Sequence, residues 1–259
     1  MAAATLFAVS CGTQPKKGGA DASKGENQEK SATVQEMNKL TDAEAGQGWI
    51  LLFNGKTGEG WRGVNKTDFP AGWVVEDGTL KCIGSGMGEA GAANGGDILY
   101  AGRKFSNFDL KLDWKISQGG NSGVFYLGQE VKDWPIWKTA PEFQLLDNER
   151  HPDALLGKDG NRMAGSLYDL IPAKPQNTKP AGEWNSIEII CYQGTVVHKQ
   201  NGATIVEYHL WTPEWKDMVK NSKFPTLNPD WADVAKEGYI ALQDHGNDVW
   251  FRNIKIRPL

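Results

Sequence analysis

Short runs of alternating apolar and polar residues, closed by turn dipeptides, dominate this chain. Residues 105–117 are the clearest case. Phe108, Leu110, Leu112, Trp114 and Ile116 fall on one face, and Asp109, Lys111, Asp113 and Lys115 on the other. Side chains of a strand alternate between faces, so this period of two predicts a strand with one buried and one solvated face. Asp77-Gly78 joins two more runs within residues 72–84, and Gln193-Gly194 and Asn201-Gly202 divide residues 183–210 into a three-strand meander. Such dipeptides accept the left-handed backbone that a two-residue hairpin turn requires. Further strands are predicted over 49–53, 97–101, 124–128, 165–171, 239–244 and 248–256. About a dozen short strands with turns between them predict an all-β, two-sheet antiparallel jelly-roll sandwich. The exception lies near 212–236. Thr212-Pro213 reads as a helix cap followed by proline in the first turn, and Asn228-Pro229 as the start of a second short helix.

The N-terminus has a different grammar. Residues 1–10 are small and apolar and end in Ala8-Val9-Ser10-Cys11. This stretch resembles the end of a bacterial lipoprotein signal, in which the cysteine becomes the lipidated first residue. Residues 11–40 then read as the lipidated Cys11 and a tether too poor in large apolar residues to order itself. Thr41-Asp-Ala-Glu44 has the spacing of a capping box and opens the folded domain, 41–259. A formal net charge of −4 argues against nucleic acid as a partner, and no apolar run is long enough to span a bilayer. The expected location is therefore the cell envelope, periplasmic or outer-membrane anchored, with the membrane reached only through the lipid. Cys82 and Cys191 lie in apolar strand patterns and read as two buried free thiols.

One strand breaks the pattern. In Ala140-Pro-Glu-Phe-Gln-Leu-Leu-Asp147, Phe143 and Leu145 point to a core, while Glu142 and Gln144 point away from it. Ser166 and Tyr168, and Gln243 and His245, take the same outward positions in two other strands. These groups suit recognition better than solvation, and together they predict one concave groove. Arg62 and Asn121-Ser122 are candidate donors at its rim. The loop after the strand carries Asp147, Asn148, His151 and Asp153, which have two readings. They are turn and cap residues around Pro152, or ligands of a divalent metal. Eleven tryptophans exceed what one core needs; most are expected inside, and any on a groove would stack on sugar rings. Nucleophile-elbow, zinc-protease and phosphate-loop signatures are absent, and the glycine-rich residues 84–96 open no helix.

Several segments together resemble a known family. They are Gly48-Trp-Ile-Leu-Leu-Phe-Asn-Gly55, Trp73-Val-Val-Glu-Asp-Gly-Thr-Leu80, Gly119-Gly-Asn-Ser-Gly-Val-Phe125, Pro141-Glu-Phe-Gln-Leu-Leu-Asp147, Gly165-Ser-Leu-Tyr168, Gly182-Glu-Trp-Asn185 and Gly238-Tyr-Ile-Ala-Leu-Gln-Asp-His-Gly246 with Phe251-Arg-Asn-Ile254. Their order and spacing are similar to the 3-keto-disaccharide hydrolase domain family over roughly residues 46–259. The resemblance implies a concanavalin A-like lectin/glucanase sandwich. It also implies cleavage of glycosides already oxidised at sugar carbon 3, by elimination and hydration. Such chemistry needs a base, an acid and a group that polarises the ketone, either a metal or a hydrogen-bond donor. Glu142 and His245 suit the acid/base roles. Gln144, Asn148, Tyr168, Gln243, Asn121 and Arg62 suit contacts to substrate, and Asp147, His151 and Asp153 the metal. Two other readings stand beside this one: a conventional glycoside hydrolase and a non-catalytic carbohydrate-binding module. Laminarinase-type relatives of the fold carry a Glu-x-Asp-x-x-Glu strand. Here the central acid is Gln144, and Asp147 has the opposite parity, which speaks against a two-carboxylate mechanism.

Overall fold

The computed structural model describes residues 1–2, 37–86 and 96–259. The signal remnant, Cys11 and most of the expected tether lie outside the described residues, as does most of the glycine-rich stretch. The described strands are β1 (Ile50–Leu51), β2 (Trp61–Gly63), β3 (Trp73–Glu76), β4 (Thr79–Cys82), β5 (Ile98–Tyr100), β6 (Phe108–Ile116), β7 (Asn121–Gly128), β8 (Glu142–Leu146), β9 (Asn185–Tyr192), β10 (Thr195–Gln200), β11 (Ala203–His209), β12 (Tyr239–Leu242) and β13 (Val249–Pro258). They build the expected antiparallel jelly-roll sandwich. One sheet has eight strands, ordered β11-β10-β9-β6-β13-β4-β3 with β1 beside β13; the other has five, ordered β2-β5-β12-β7-β8.

The turn dipeptides take the conformations their chemistry requires. Asp77-Gly78, Gln193-Gly194 and Asn201-Gly202 all have positive φ at both residues, as type I′ hairpin turns need. The capping box forms on helix α1 (Asp42–Gly46), with the Thr41 side chain on the Glu44 amide and the Glu44 carboxylate on the Thr41 amide. Thr212 caps α2 (Pro213–Lys220) as expected. The second helix is misplaced in the sequence reading. It is α3 (Phe224–Leu227), which ends before Asn228. The Asn228 side chain instead accepts the Asp230 amide and closes a turn. Residues 165–171 are not a strand either; they make single bridges from Leu167 to Phe143 and to Ile171. Asn38, read as tether, is buried. It exchanges hydrogen bonds with Asn253 and donates to the Gly78 carbonyl.

The apolar face of β6 lies in the main core between the sheets, with Trp73, Trp114, Tyr126, Phe143 and Phe251. Cys82 and Cys191 are buried free thiols in β4 and β9, and burial pushes the Cys191 thiol up to about 12. Several tryptophans serve the outside of the large sheet. Lys115 lies between the rings of Trp184 and Trp250, at 5.1 and 4.6 Å, and the Arg252 guanidinium sits 3.9 Å from Trp184. Cation–π pairs of this kind stabilise the face and leave few aromatic faces for a ligand.

A polar chain crosses the core beneath β8. His198 is fully buried, its ring 4.7 Å from Phe143. Its Nδ1 faces the Gly165 carbonyl at 3.1 Å. A carbonyl only accepts, so Nδ1 carries the proton and Nε2 accepts from Tyr126 Oη at 2.8 Å. Tyr208 Oη in turn lies 2.5 Å from Tyr126 Oη and donates to it. Burial lowers the His198 pKa from 6.5 to about 4. The unfolded chain therefore binds a proton near pH 6.5 that the folded chain refuses until about pH 4, so stability falls as pH drops through this window. His198 alone is expected to remove about 3 kcal/mol between pH 7 and pH 4. Asp109, raised to about 6 by burial, works in the opposite direction. Urea midpoints of the wild type and His198→Gln, compared across pH, isolate the histidine. Equal slopes for the two proteins would refute its role.

Candidate active site

The site forms on the outward face of the five-stranded sheet, where β12, β7 and β8 lie side by side. Residues directly opposite in an antiparallel pair share a face. Gly123 faces Gln144, and Phe125 faces both Glu142 and Ala241. Toward β5 this face is apolar: Leu99, Phe125 and Ala241 pack under Ile136 and Ala140. Toward the β8 edge it becomes polar and opens into a cavity of about 580 Å³, including its mouth. Asn121, Glu142, Gln144, Tyr168, Gln243 and His245 line it, together with Trp137, Ala140, Lys223, Phe224 and Leu227. Residues from all three polar segments line it, but Ser166 does not: it is fully buried, donates to the Gly160 carbonyl and accepts the Ala173 amide.

β8 is the last strand of its sheet, and its free edge is covered. Residues 165–168 run along it, with Gly165 N donating to Gln144 O, Gln144 N to Ser166 O, and Tyr168 N to Glu142 O. This pairing places Tyr168 beside Glu142 although residues 165–171 form no regular strand. His198 holds the Gly165 carbonyl from below.

Glu142 is buried at 8% exposure and Gln144 at 1%. Turned to satisfy both of its ends, the Gln144 amide nitrogen donates to Glu142 Oε1 and to the Ser122 carbonyl, each at 3.0 Å. Space for the carboxylate comes from β7: a Cβ on Gly123 would lie 2.1 Å from Glu142 Oε1. Gln243 is also buried, and its Oε1 has no partner among the described residues. An orphaned buried acceptor on a cavity wall is costly until a ligand donor meets it. Ser122, in contrast, bonds inward to the Gln243 carbonyl. Burial lowers the pKa of His245, and the imidazole of His151, its ring centroid 6.2 Å away, lowers it further. His245 is therefore neutral near pH 7 and able to accept a proton.

A charged cluster forms the opposite wall. Lys223 Nζ donates to Tyr168 Oη at 3.1 Å and lies 4.3 Å from the centre of the Tyr168 ring. Tyr168 Oη donates to Asp153 Oδ2 at 3.0 Å. Arg162 pairs with Asp169 and with Asp153. Burial lowers the Lys223 pKa, while Asp169, Glu142 and Asp153 pull it back up. Burial pushes the Tyr168 phenol well up, so it stays protonated.

Other expected site residues lie elsewhere. Arg62 is not a rim donor: both its terminal nitrogens bond to Glu130, at 2.6 Å each. Asn148 accepts the Ala164 amide and so anchors the turn before residues 165–168. The metal reading gives way to the turn reading. Asp147 accepts the amides of Gly119 and Glu149, His151 Nδ1 accepts the amide of Asp153, and Asp153 is held by Tyr168 and Arg162. Among the described residues no group of three His, Cys, Asp or Glu side chains is placed to hold an ion. Asp147 does not line the cavity, so among the described residues Glu142 is the one acid in its lining. Of the tryptophans, Trp137 reaches the cavity.

Sequence reasoning passed over Lys223, Phe224, Leu227 and Trp137. Trp137 belongs to a single 3-10 turn (Ile136–Lys138), and the other three to the short helical insertion that lies over the sheet. No periodicity marks such residues. Lys223 is one of four lysines in the insertion, with Lys216, Lys220 and Lys236, so residue type alone did not single it out.

The fold and the pocket together define a two-sheet antiparallel β-sandwich with a polar pocket on the outward face of its smaller sheet. Residues 48–257 match the 3-keto-alpha-glucoside-1,2-lyase-like domain. A 3-keto-disaccharide hydrolase of Bacteroides thetaiotaomicron is 48% identical over 97% of this chain and 94% of its own. Two solved structures described as putative glycosyl hydrolases, both from Parabacteroides distasonis, share the fold. One is 32% identical with a TM-score of 0.74 and covers 86% of this chain and 100% of its own. The other is 28% identical with a TM-score of 0.60, covering 82% and 99%. The chain belongs to the 3-keto-alpha-glucoside-1,2-lyase-like domain family. It is an enzyme of the glycoside-hydrolase type.

Proposed function

We propose that this pocket cleaves the glycosidic bond of sugars that carry a ketone at carbon 3. A carbonyl at C3 acidifies the C2–H bond. The Glu142 carboxylate takes that proton, and the C–H electrons pass into a C2–C3 enolate. The enolate re-forms the ketone, builds a C1–C2 double bond and expels the C1 oxygen. That oxygen needs one proton, and Glu142 holds one, so a single carboxyl group balances the elimination. His245, neutral in its buried setting, then takes a proton from the water that adds at C1 and returns it to C2. Asn121, Gln144 and Gln243 hold the sugar; the orphaned Gln243 carbonyl accepts from a hydroxyl.

The observation that carries this reading is the lone acid among the described residues that line the cavity. Standard glycoside hydrolysis needs two carboxyl groups flanking the bond, and the lining offers Glu142 with an imidazole and an ammonium instead. The name of the Bacteroides thetaiotaomicron relative supports the substrate class. The test is an assay on matched 3-keto and unoxidised glucosides. Release of the aglycone from the keto form alone is expected; cleavage restricted to the unoxidised sugar would overturn the reading. We also propose a lipid anchor at Cys11, on the strength of the Ala8-Val9-Ser10-Cys11 pattern. A Cys11→Ala variant that still fractionates with membranes would refute it.

A further inference from the structure

Elimination from a 3-keto sugar places negative charge on the C3 oxygen, and something in the wall must meet it. Most candidates are already committed. Tyr168 has a single O–H, donated to Asp153, and its oxygen accepts from Lys223. The Gln144 amide is spent on Glu142 and the Ser122 carbonyl. His245 is neutral. Lys223 is different. Among the described residues it is the one lysine or arginine that lines the cavity. Of its three N–H groups one goes to Tyr168, and Asp169 stands 4.0 Å away, beyond a normal hydrogen bond. The ammonium is also located rather than loose. The Tyr168 ring and hydroxyl hold it, Asp153 holds Tyr168, and Arg162 holds both Asp153 and Asp169.

We propose that Lys223 is the electrophilic catalytic residue of this site: its ammonium donates to the C3 ketone oxygen and holds the charge that gathers there as C2 loses its proton. The inference rests on the function proposed above and adds to it the group that replaces a metal or an oxyanion hole. Balance is simple. The C2–H bond breaks, its proton goes to Glu142, its electrons form C2=C3, and the carbonyl pair moves onto oxygen beside Lys223. Tyr168 and Asp153 are positioning residues, because they act through the lysine.

The role separates from bond cleavage experimentally. A free 3-keto-glucose has no aglycone to lose, yet its C2 proton exchanges with deuterium oxide through the same enolate, which proton NMR follows. The wild type is expected to accelerate this exchange. Lys223→Met is expected to slow both exchange and glycoside cleavage about 100-fold or more, while 3-keto-glucose still binds by calorimetry. Tyr168→Phe, a milder change, is expected to lower kcat with little effect on KM, and thermal melts of both variants check that they fold. Exchange by Lys223→Met at the wild-type rate would overturn the proposal. So would a sugar trapped covalently on Lys223 by borohydride, which would mean an imine in place of a charge contact. A wild type that cleaves 3-keto glucosides while Tyr168→Phe and Lys223→Met remain fully active removes this inference and leaves the function standing. A wild type that neither exchanges nor cleaves removes both.

Discussion

Glu142→Gln is expected to lower kcat on 3-keto glucosides by roughly 10²- to 10⁴-fold, the usual worth of a positioned proton carrier. The substitution keeps size and shape and removes only the capacity to take a proton. Glu142 sits among fixed partners: Gln144 on one side, Gly123 beneath, and Tyr168 hydrogen-bonded to its own carbonyl through the backbone. The variant should therefore fold and should still bind a 3-keto sugar, so the loss falls on kcat and not on KM. Titration calorimetry beside steady-state kinetics separates the two. Full activity in this variant would remove the centre of the mechanism. If Glu142 both collects the C2 proton and returns it to the departing oxygen, deuterium exchange at C2 falls with cleavage.

Gly123→Ala is expected to reproduce much of that loss without touching an ionisable group. Gly123 has no positive φ, so its backbone accepts alanine. The added carbon would meet Glu142 Oε1 at 2.1 Å and Cδ and Cγ at 2.8 Å. What lies in the way is the end of a side chain and not backbone, so the carboxylate gives way and the fold survives. A catalytic group moved by about 1 Å costs on the order of 100-fold. The expected result is that drop in kcat with a nearly unchanged melting temperature. The double variant with Glu142→Gln adds a further check. If alanine acts only by displacing the carboxylate, the double variant is no slower than Glu142→Gln alone, because the two changes share one target. Additive losses would show that Gly123 matters for another reason.

Much of the sandwich was legible before any coordinates. β6 alternates because one face meets the core and the other meets water, and Asp77-Gly78, Gln193-Gly194 and Asn201-Gly202 turn because their chemistry permits positive φ. The same parity argument placed Glu142 and Gln144 on one face and Phe143 and Leu145 on the other, and it placed Gln243 opposite Leu242. These are local facts, carried by neighbours along the chain. Errors arose where a polar side chain had to choose a partner. Arg62 turned to Glu130, Asn148 to the Ala164 amide, and Asp147, His151 and Asp153 to backbone amides, Tyr168 and Arg162. Residue type suggests what such groups are able to bond, but not which donor arrives first.

The sequence by itself determined the sandwich, its hairpins and the shared outward face of Glu142 and Gln144 on β8, since strand parity and turn chemistry act over a few residues. Only the tertiary structure decided that these two share one cavity with Asn121, Tyr168, Gln243 and His245, that Gly123 leaves room for a carboxylate, and that Lys223 from the helical insertion joins them. The physical reason is distance along the chain. β7, β8 and β12 are neighbours in space through sheet order, and contacts between segments a hundred residues apart leave no period in the sequence to read.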